Sequence, residues 1–303
     1  MDNVTVLMST YNGERYINEQ LESIINQKGV NQNILIRDDG SSDATVNILK
    51  QYEEKKVLSF YCGENVRPAR SFLDLLKHAP DATYYAFSDQ DDYWLDDKLQ
   101  IAVAKMKQYD NRLPILYCGR PRIVDQNLKY LIPLDSRIPS IHPTSFETRL
   151  VVRNTPGCTF VMNRELVKIV NTITPSYLEM HDCWIYQVCS LVGGIIIYDD
   201  DVHILYRQHD QNVAGVSISF LDRLKDHVNR FRSGNCDRSK TAAELLRCFG
   251  DNLSEEKVTA LRMLSEYKKS VPNRIKLITS SKFNTESKKF NLNFKLSVLL
   301  GVF

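Results

Sequence analysis

The segment SDQDDYW (88–94) crowds Asp89, Asp91 and Asp92 into one short turn directly after the apolar run TYYAF (83–87). Five acidic side chains fall between Ala86 and Leu99, a density that calls for a positive charge nearby. A D-x-D at the end of a buried strand lets one carboxylate ligate a divalent cation, while its partner two residues back reaches a bound sugar or the metal's water shell. Mg²⁺ or Mn²⁺ suits such hard oxygen donors, with phosphates of a ligand completing the coordination. The plainer alternative is an acidic turn whose aspartates cap the following helix.

Three other clusters have the same double character. In RDDGSSD (37–43), Gly40 supplies a turn and Ser42 or Asp43 a helix cap, whereas Asp39 at the strand end can accept the imide N–H of a uracil or thymine ring. Ser9, Thr10 and Tyr11 of STYN (9–12) form either a strand-to-helix cap or a nucleobase seat with Tyr11 stacking on the base. Asp182 in HDCW (181–184) falls near a helix N-terminus, where the partial positive charge favours the ionised carboxylate. It is a cap or a general base, and a general base contributes about 10²–10⁴-fold in rate. His209 in YRQHDQN (206–212) offers an imidazole as a further metal ligand.

Elements that alternate along the chain must bring these clusters together. Strand-like runs VTVLM (4–8), NILIR (33–37), VLSFYC (57–62), TYYAFS (83–88) and PILYC (114–118) are separated by helix-like segments. That alternation predicts an α/β fold with a parallel sheet and helices on both faces. Ligands of such sheets bind outside the carboxyl ends of the strands, and STYNGE, DDGSSD and SDQDD each follow a strand. Beyond residue 120 the pattern predicts a strand at CTFVM (158–162), a helix beginning near Asp182, and two strands at IIIYD and VHILYR. From residue 219 onward it is helical with lysine-rich connectors, which predicts a domain over 1–218 and an appended helical segment over 219–303.

Composition bounds the rest. In 303 residues, 39 lysines and arginines nearly balance 37 aspartates and glutamates, so the chain as a whole is no electrostatic nucleic-acid binder. The seven cysteines form no C-x-x-C pair, and no charged-then-apolar leader precedes the first strand. Reduced, mostly buried thiols and a cytoplasmic protein are expected. No apolar run reaches the roughly 20 residues of a membrane span. Neither G-x-G-x-x-G after the first strand nor G-x-x-x-x-G-K-[ST] occurs, which removes the phosphate cradles of dinucleotide-binding dehydrogenases and P-loop NTPases. A cation is then the natural holder of a diphosphate.

Taken in order, STYNGERYI with a following glutamine, RDDGSSDAT, SDQDDYW, GCTFVMNREL, HDCW and YRQHDQNVAG resemble family 2 glycosyltransferases of the GT-A fold, and SDQDDYW with HDCW and YRQHDQNVAG their rhamnosyltransferase branch. The resemblance covers roughly residues 3–215. It implies a mostly parallel central sheet flanked by helices, with Ser9, Thr10, Tyr11, Asp39, Asp89 and Gln90 at the nucleotide-sugar. It further implies Asp91 and His209 at Mg²⁺ or Mn²⁺, and Asp182 as the base of an inverting transfer. Trp94, His181 and Trp184 are its candidate contacts to acceptor or sugar. The implied donor is dTDP-β-L-rhamnose, and the implied acceptor a bacterial surface glycan or a polyprenyl-diphosphate-linked saccharide. A UDP-hexose donor, or a non-catalytic nucleotide-sugar-binding subunit, are the competing expectations. Two positions depart from the pattern: Arg67 stands where relatives usually carry glycine, and His181 replaces the glutamate of the broader family's acidic pair.

In the tail, FLDRLKDHVNRF, AAELLRCF, VTALRMLSEYKK, NRIKLITSSKF and FNLNFKLSVLLGVF combine apolar stripes with basic residues. Such helices are either a packed appendage or a peripheral attachment to the cytoplasmic face of an anionic membrane.

Overall fold

A computed structural model describes residues 1–131, 142–152, 155–209 and 237–303. The helical expectation for FLDRLKDHVNRF, the boundary at 218/219, Asp210, Cys236 and the segment QNVAG lie outside the described residues. The chain forms two compact units, one of Met1–Ile138, Thr155–Thr172 and Met180–Val213, the other of Pro139–Asn154, Ile173–Glu179 and Ala214–Phe303.

The first unit is built on a sheet of order β3-β2-β1-β4-β7-β6-β8-β5. Its strands are β1 (Asp2–Thr10), β2 (Val30–Asp38), β3 (Ser59–Cys62), β4 (Tyr84–Ser88), β5 (Tyr93–Trp94), β6 (Ile115–Val124), β7 (Val161–Asn163) and β8 (Ile195–Arg207). The pairs β1–β2, β1–β4, β2–β3 and β6–β8 are parallel, while β7 runs antiparallel between β4 and β6 and β5 antiparallel on β8. Val4, Val6 and Met8 of β1 point to one face with Ile34, Ile36, Tyr84 and Ala86, and Leu7, Leu35 and Phe87 to the other. Strands buried on both faces read as continuous apolar runs, which is why the sequence exposes them.

Helices cover each face. On the first, α1 (Ile17–Ile25) buries Ile17, Leu21 and Ile24, and α4 (Lys98–Met106) buries Leu99, Ala102, Val103 and Met106. On that same side lies α2 (Thr45–Glu54), which buries Leu49. On the second face lie α3 (Arg67–His78), whose Phe72 ring packs 4.9 Å from that of Phe87, and two helices after β7, namely α6 (Arg164–Asn171) and α7 (His181–Leu191). Asn163 is fully buried and starts α6 by accepting the Leu166 N–H, while its amide donates to the Leu113 carbonyl at 2.7 Å.

Several local expectations are corrected. IIIYD and VHILYR are one strand, β8, interrupted by a bulge: Cys118 pairs with Tyr198 but Arg120 with Val202. Of the three consecutive aspartates in it, Asp199 is held inside by the Tyr117 hydroxyl at 2.7 Å and Lys105 at 2.6 Å. Gly157–Thr159 is a 3₁₀ turn, not strand, so β7 begins at Val161. Cysteines 118, 158 and 189 are buried but Cys62 is exposed and Cys183 and Cys248 intermediate, because Cys62 sits on the edge strand β3. Arg67 has φ of 66°, a left-handed conformation that glycine adopts without the Cβ penalty. This accounts for the glycine expected there.

In the second unit, α5 (Phe146–Val151) starts with a capping box from Ser145 and Thr148. After it come α8 (Arg238–Phe249), α9 (Glu255–Glu266), α10 (Val271–Thr279) and α11 (Lys288–Leu299). Side chains of Asp237, Ser254, Ser270 and Ser287 cap the last four, satisfying first-turn N–H groups that have no partner within the helix. Among the described residues, no helix is long and apolar enough to cross a membrane.

Candidate active site

The loops after β1, β2 and β4 meet at the carboxyl ends of these strands and are laced by side-chain hydrogen bonds. Thr10 donates to Asp38 at 3.0 Å, and Asp38 also accepts from the backbone of Gly40 and Ser41 and from the Ser41 hydroxyl at 2.6 Å. Asn12, at φ 49°, accepts the Ser42 N–H at 2.8 Å, and Gly13 donates to Thr45. Asp43 steadies the start of α2 by accepting from the Thr45 backbone and hydroxyl, although the N-cap position itself is Ala44. Gln90 makes a reciprocal pair with the backbone of Tyr11, receiving its N–H at 2.9 Å and donating to its carbonyl at 3.1 Å. A Cβ on Gly13 would lie 2.3 Å from the Gln90 amide oxygen, so only glycine admits this pair.

The acidic turn is held from three sides. Gln20 and Ser23 of α1 and Gln27 just past its end form a buried polar stripe: Gln20 donates to Ser88 at 2.8 Å, Ser23 accepts the Trp94 N–H at 3.1 Å, and Gln27 bridges the Leu95 carbonyl and the Leu99 N–H. Arg207, buried at the end of β8, donates from Nε to the Asp91 carbonyl at 2.7 Å, from its backbone to Asp92 at 3.1 Å, and also reaches Glu19. Beneath lies Lys98, its ammonium 3.5 Å from the Trp94 ring centroid. Burial drives the Lys98 ammonium down to about 7 despite the carboxylates beside it. Burial pushes Asp89 up to about 7, with Asp91 and Asp182 adding repulsion, and raises Asp92 in the same way.

Asp182 occupies the first turn of α7, where the helix dipole favours negative charge. Its Oδ1 accepts the Cys183 N–H at 2.6 Å and its Oδ2 the Gly157 N–H at 3.2 Å. Gly157 is a seat for this residue: a Cβ there would lie 2.7 Å from the His181 Nε2 and 3.0 Å from the Asp182 Cβ. Gly157→Ala is therefore expected to shift the first turn of α7 and lower turnover by up to about 10²-fold, the cost of a misplaced reacting group. Nucleotide-sugar affinity, measured by calorimetry, stays at the wild-type value.

Asp89, Asp91, Asp182 and His209 thus come together, with Ser9 and Thr10 at the end of the neighbouring strand β1 and Tyr11 at the start of its loop. Tyr11 is 48% exposed and free to stack. Ser9 hydrogen-bonds Ser71 at 2.6 Å. Asp39 is 2% exposed, ion-paired with Arg37 and receiving the Val66 N–H. Gln90 is engaged by the Tyr11 backbone through both atoms of its amide. Trp94, Trp184 and His181, the candidate acceptor or sugar contacts, are buried. On α7, residues 181, 184, 185 and 188 share the face turned to the sheet, and the His181 ring stacks on Phe72 at 4.1 Å. Its burial lowers the imidazole to about 4, so it is neutral near pH 7.

Lys98, Cys158 and Arg207 were not singled out by sequence reasoning. The available signals were a lone lysine opening an apolar helix and an arginine closing β8.

Two donor groups compete for a cation here. Asp89, Asp92 and Cys158 offer atoms within 4.8 Å of one another. However, the buried thiol is held protonated by burial and by Asp92 and Asp89, and Asp92 is already engaged by the Arg207 N–H and the thiol. A protonated thiol does not suit a hard cation. Asp91 and His209 fit better: Oδ2 and Nε2 lie 2.8 Å apart, a carboxylate with an imidazole that phosphate oxygens can complete.

Sheet order, acidic turn and helix-borne aspartate together define the GT-A class of nucleotide-sugar-dependent transferases. The Glycosyl transferase family 2 profile matches residues 5–169, and the chain belongs to this family as a glycosyltransferase. It is 31% identical over 240 residues to the dTDP-rhamnosyl transferase RfbG of Shigella flexneri, covering 72% of this chain and 77% of that protein. It is 29% identical over 126 residues to the UDP-Glc:alpha-D-GlcNAc-diphosphoundecaprenol beta-1,3-glucosyltransferase WfgD of Escherichia coli, covering 41% and 47%. Among solved structures, S. aureus TarS 1-349 in complex with UDP-GlcNAc superposes with a TM-score of 0.60 at 18% identity, over 98% of this chain and 81% of that one. The mannosyltransferase PcManGT of Pyrobaculum calidifontis in complex with GDP-Man and Mn²⁺ gives 0.56 at 15% identity, over 99% and 80%.

Proposed function

We propose that this chain is an inverting, metal-dependent rhamnosyltransferase that moves L-rhamnose from dTDP-β-L-rhamnose to a hydroxyl of a bacterial surface glycan, giving an α-linkage. The acceptor is carried on the glycan or on a polyprenyl diphosphate, and the enzyme works at the cytoplasmic face of the membrane. Residues 1–218 carry the catalytic domain and 219–303 the helical segment. The observation that carries the reading is the convergence of Asp182 with the Asp89–Asp91–His209 group, in a chain 31% identical to a named dTDP-rhamnosyl transferase.

Asp182 takes the proton of the acceptor hydroxyl as its oxygen bonds to the anomeric carbon. The bond from that carbon to the diphosphate breaks on the opposite face, and the electron pair leaves with the dTDP. Asp91 and His209 would hold Mg²⁺ or Mn²⁺, which neutralises charge on the departing diphosphate. Tyr11 stacks on the base, and Ser9, Thr10 and Asp39 complete its seat with Asp89 at the ribose.

The test is nucleoside-diphosphate release from UDP-, GDP- and dTDP-sugars with an acceptor saccharide, in Mn²⁺, in Mg²⁺ and in chelator. Selective release from dTDP-rhamnose that chelator abolishes is expected. Selective release from a UDP-hexose would favour the second reading, supported by the glucosyltransferase relative and its UDP-Glc donor. Nucleotide binding without turnover on any acceptor would leave a nucleotide-sugar-binding subunit.

A further inference from the structure

Helices α10 and α11 carry apolar side chains on two sides each. On α11, Phe294 and Val298 are buried, with the Phe294 ring packed 4.7 Å from that of Phe303. Its opposite side presents Leu292, Leu296, Leu299 and Leu300, at spacings of four, seven and eight residues, and Leu292 and Leu300 are 60% and 72% exposed. On α10, Leu277 is buried while Val271 and Ile275, one turn apart, are exposed. Arg274 donates to the Leu299 carbonyl at 2.9 Å, which sets the α10 stripe beside the C-terminal end of α11. A soluble helix normally leaves one face polar; here that face is aliphatic.

Charge narrows what covers it. Residues 271–303 hold six basic side chains and one acidic, Glu286, in a chain whose formal net charge is only +2. Lys288 and Lys289 stand one turn before Leu292 on the leucine side, and Lys295 one turn before Leu299. Lys276, Lys288 and Lys289 are exposed and form no ion pair among the described residues, whereas Lys282 is tied to Glu256 at 2.8 Å. A second copy docked stripe to stripe would bring like charges together. A surface combining accessible acyl chains with negative headgroups satisfies both features at once.

We propose that the exposed stripes of α10 and α11 dock on an anionic phospholipid bilayer, the aliphatic side chains entering the acyl boundary and Lys276, Lys288, Lys289 and Lys295 meeting headgroup phosphates. The surface deepens the membrane-face part of the proposed function and rests on that reading for its use, but its lipid affinity is read independently of donor turnover.

The test is co-sedimentation of the full chain with phosphatidylcholine vesicles and with vesicles containing about 30% phosphatidylglycerol, at about 0.1 M and 1 M salt. Each basic residue near an anionic surface strengthens binding about fivefold, so the wild type is expected to prefer the anionic vesicles by at least about tenfold and to lose that preference at high salt. Leu296→Glu with Leu300→Glu is expected to abolish binding, and Lys288→Glu with Lys289→Glu to remove only the anionic preference. Both double variants should keep the wild-type melting temperature and vesicle-free donor turnover. Failure of the wild type to bind either vesicle overturns the proposal, as does wild-type binding by the leucine double variant. So does a wild-type dimer that the leucine variant dissociates without any change in lipid affinity, since the stripe would then be a self-association face.

Discussion

Asp182→Asn is expected to lower sugar transfer by about 10²–10⁴-fold, the usual contribution of a positioned base, while nucleotide-sugar affinity is unchanged. Asparagine keeps the shape of the side chain, and its carbonyl oxygen can still accept a backbone N–H from Cys183 or Gly157, so the first turn of α7 stays in place. What disappears is the anionic proton acceptor. Single-turnover kinetics with donor and acceptor, beside calorimetry with donor alone, separates the two quantities. Unchanged transfer would place the base elsewhere, and a parallel loss of affinity would make Asp182 a donor-binding group.

Asp91→Asn should act on the other quantity. The asparagine removes the negative charge facing His209, 2.8 Å away, and with it half of the donor set assigned to the cation. Mutating even the outer partners of metal ligands costs about 10–100-fold in metal affinity, so a loss of about 10²-fold or more in Mn²⁺-dependent nucleotide binding is expected for a ligand itself. Chelator added to the wild type should reproduce the variant. A nucleotide affinity that is equal in both proteins, with and without Mn²⁺, would rule out Asp91 as the metal ligand.

The sheet was legible because β1, β2 and β4 are buried on both faces and their polar loops begin where the apolar runs stop. The loops carrying Tyr11, Asp39, Asp89 and Asp91 could be assigned to one edge from that pattern alone. Legibility ended where neighbours in sequence face opposite ways. Trp94 and Trp184 adjoin acidic residues in the text, yet strand alternation and helix phase turn both into the core. The bulge in β8 has no local signature, because Tyr117 and Lys105, which receive Asp199 there, come from distant parts of the chain. Cys158 and Arg207 matter through partners many residues distant, such as the 115-residue separation between Arg207 and Asp92. A local window holds no trace of such partners.

That separation has a consequence for synthesis. Strands β1 to β4 emerge early, but the turn at 89–92 is closed by Arg207 and His209, and β7, which lies between β4 and β6, is made after both. At about 5–20 residues per second, the ribosome delivers residue 209 roughly 6–23 s after residue 92. For that interval the acidic turn lacks the Arg207 guanidinium and the His209 imidazole that close it in the finished fold.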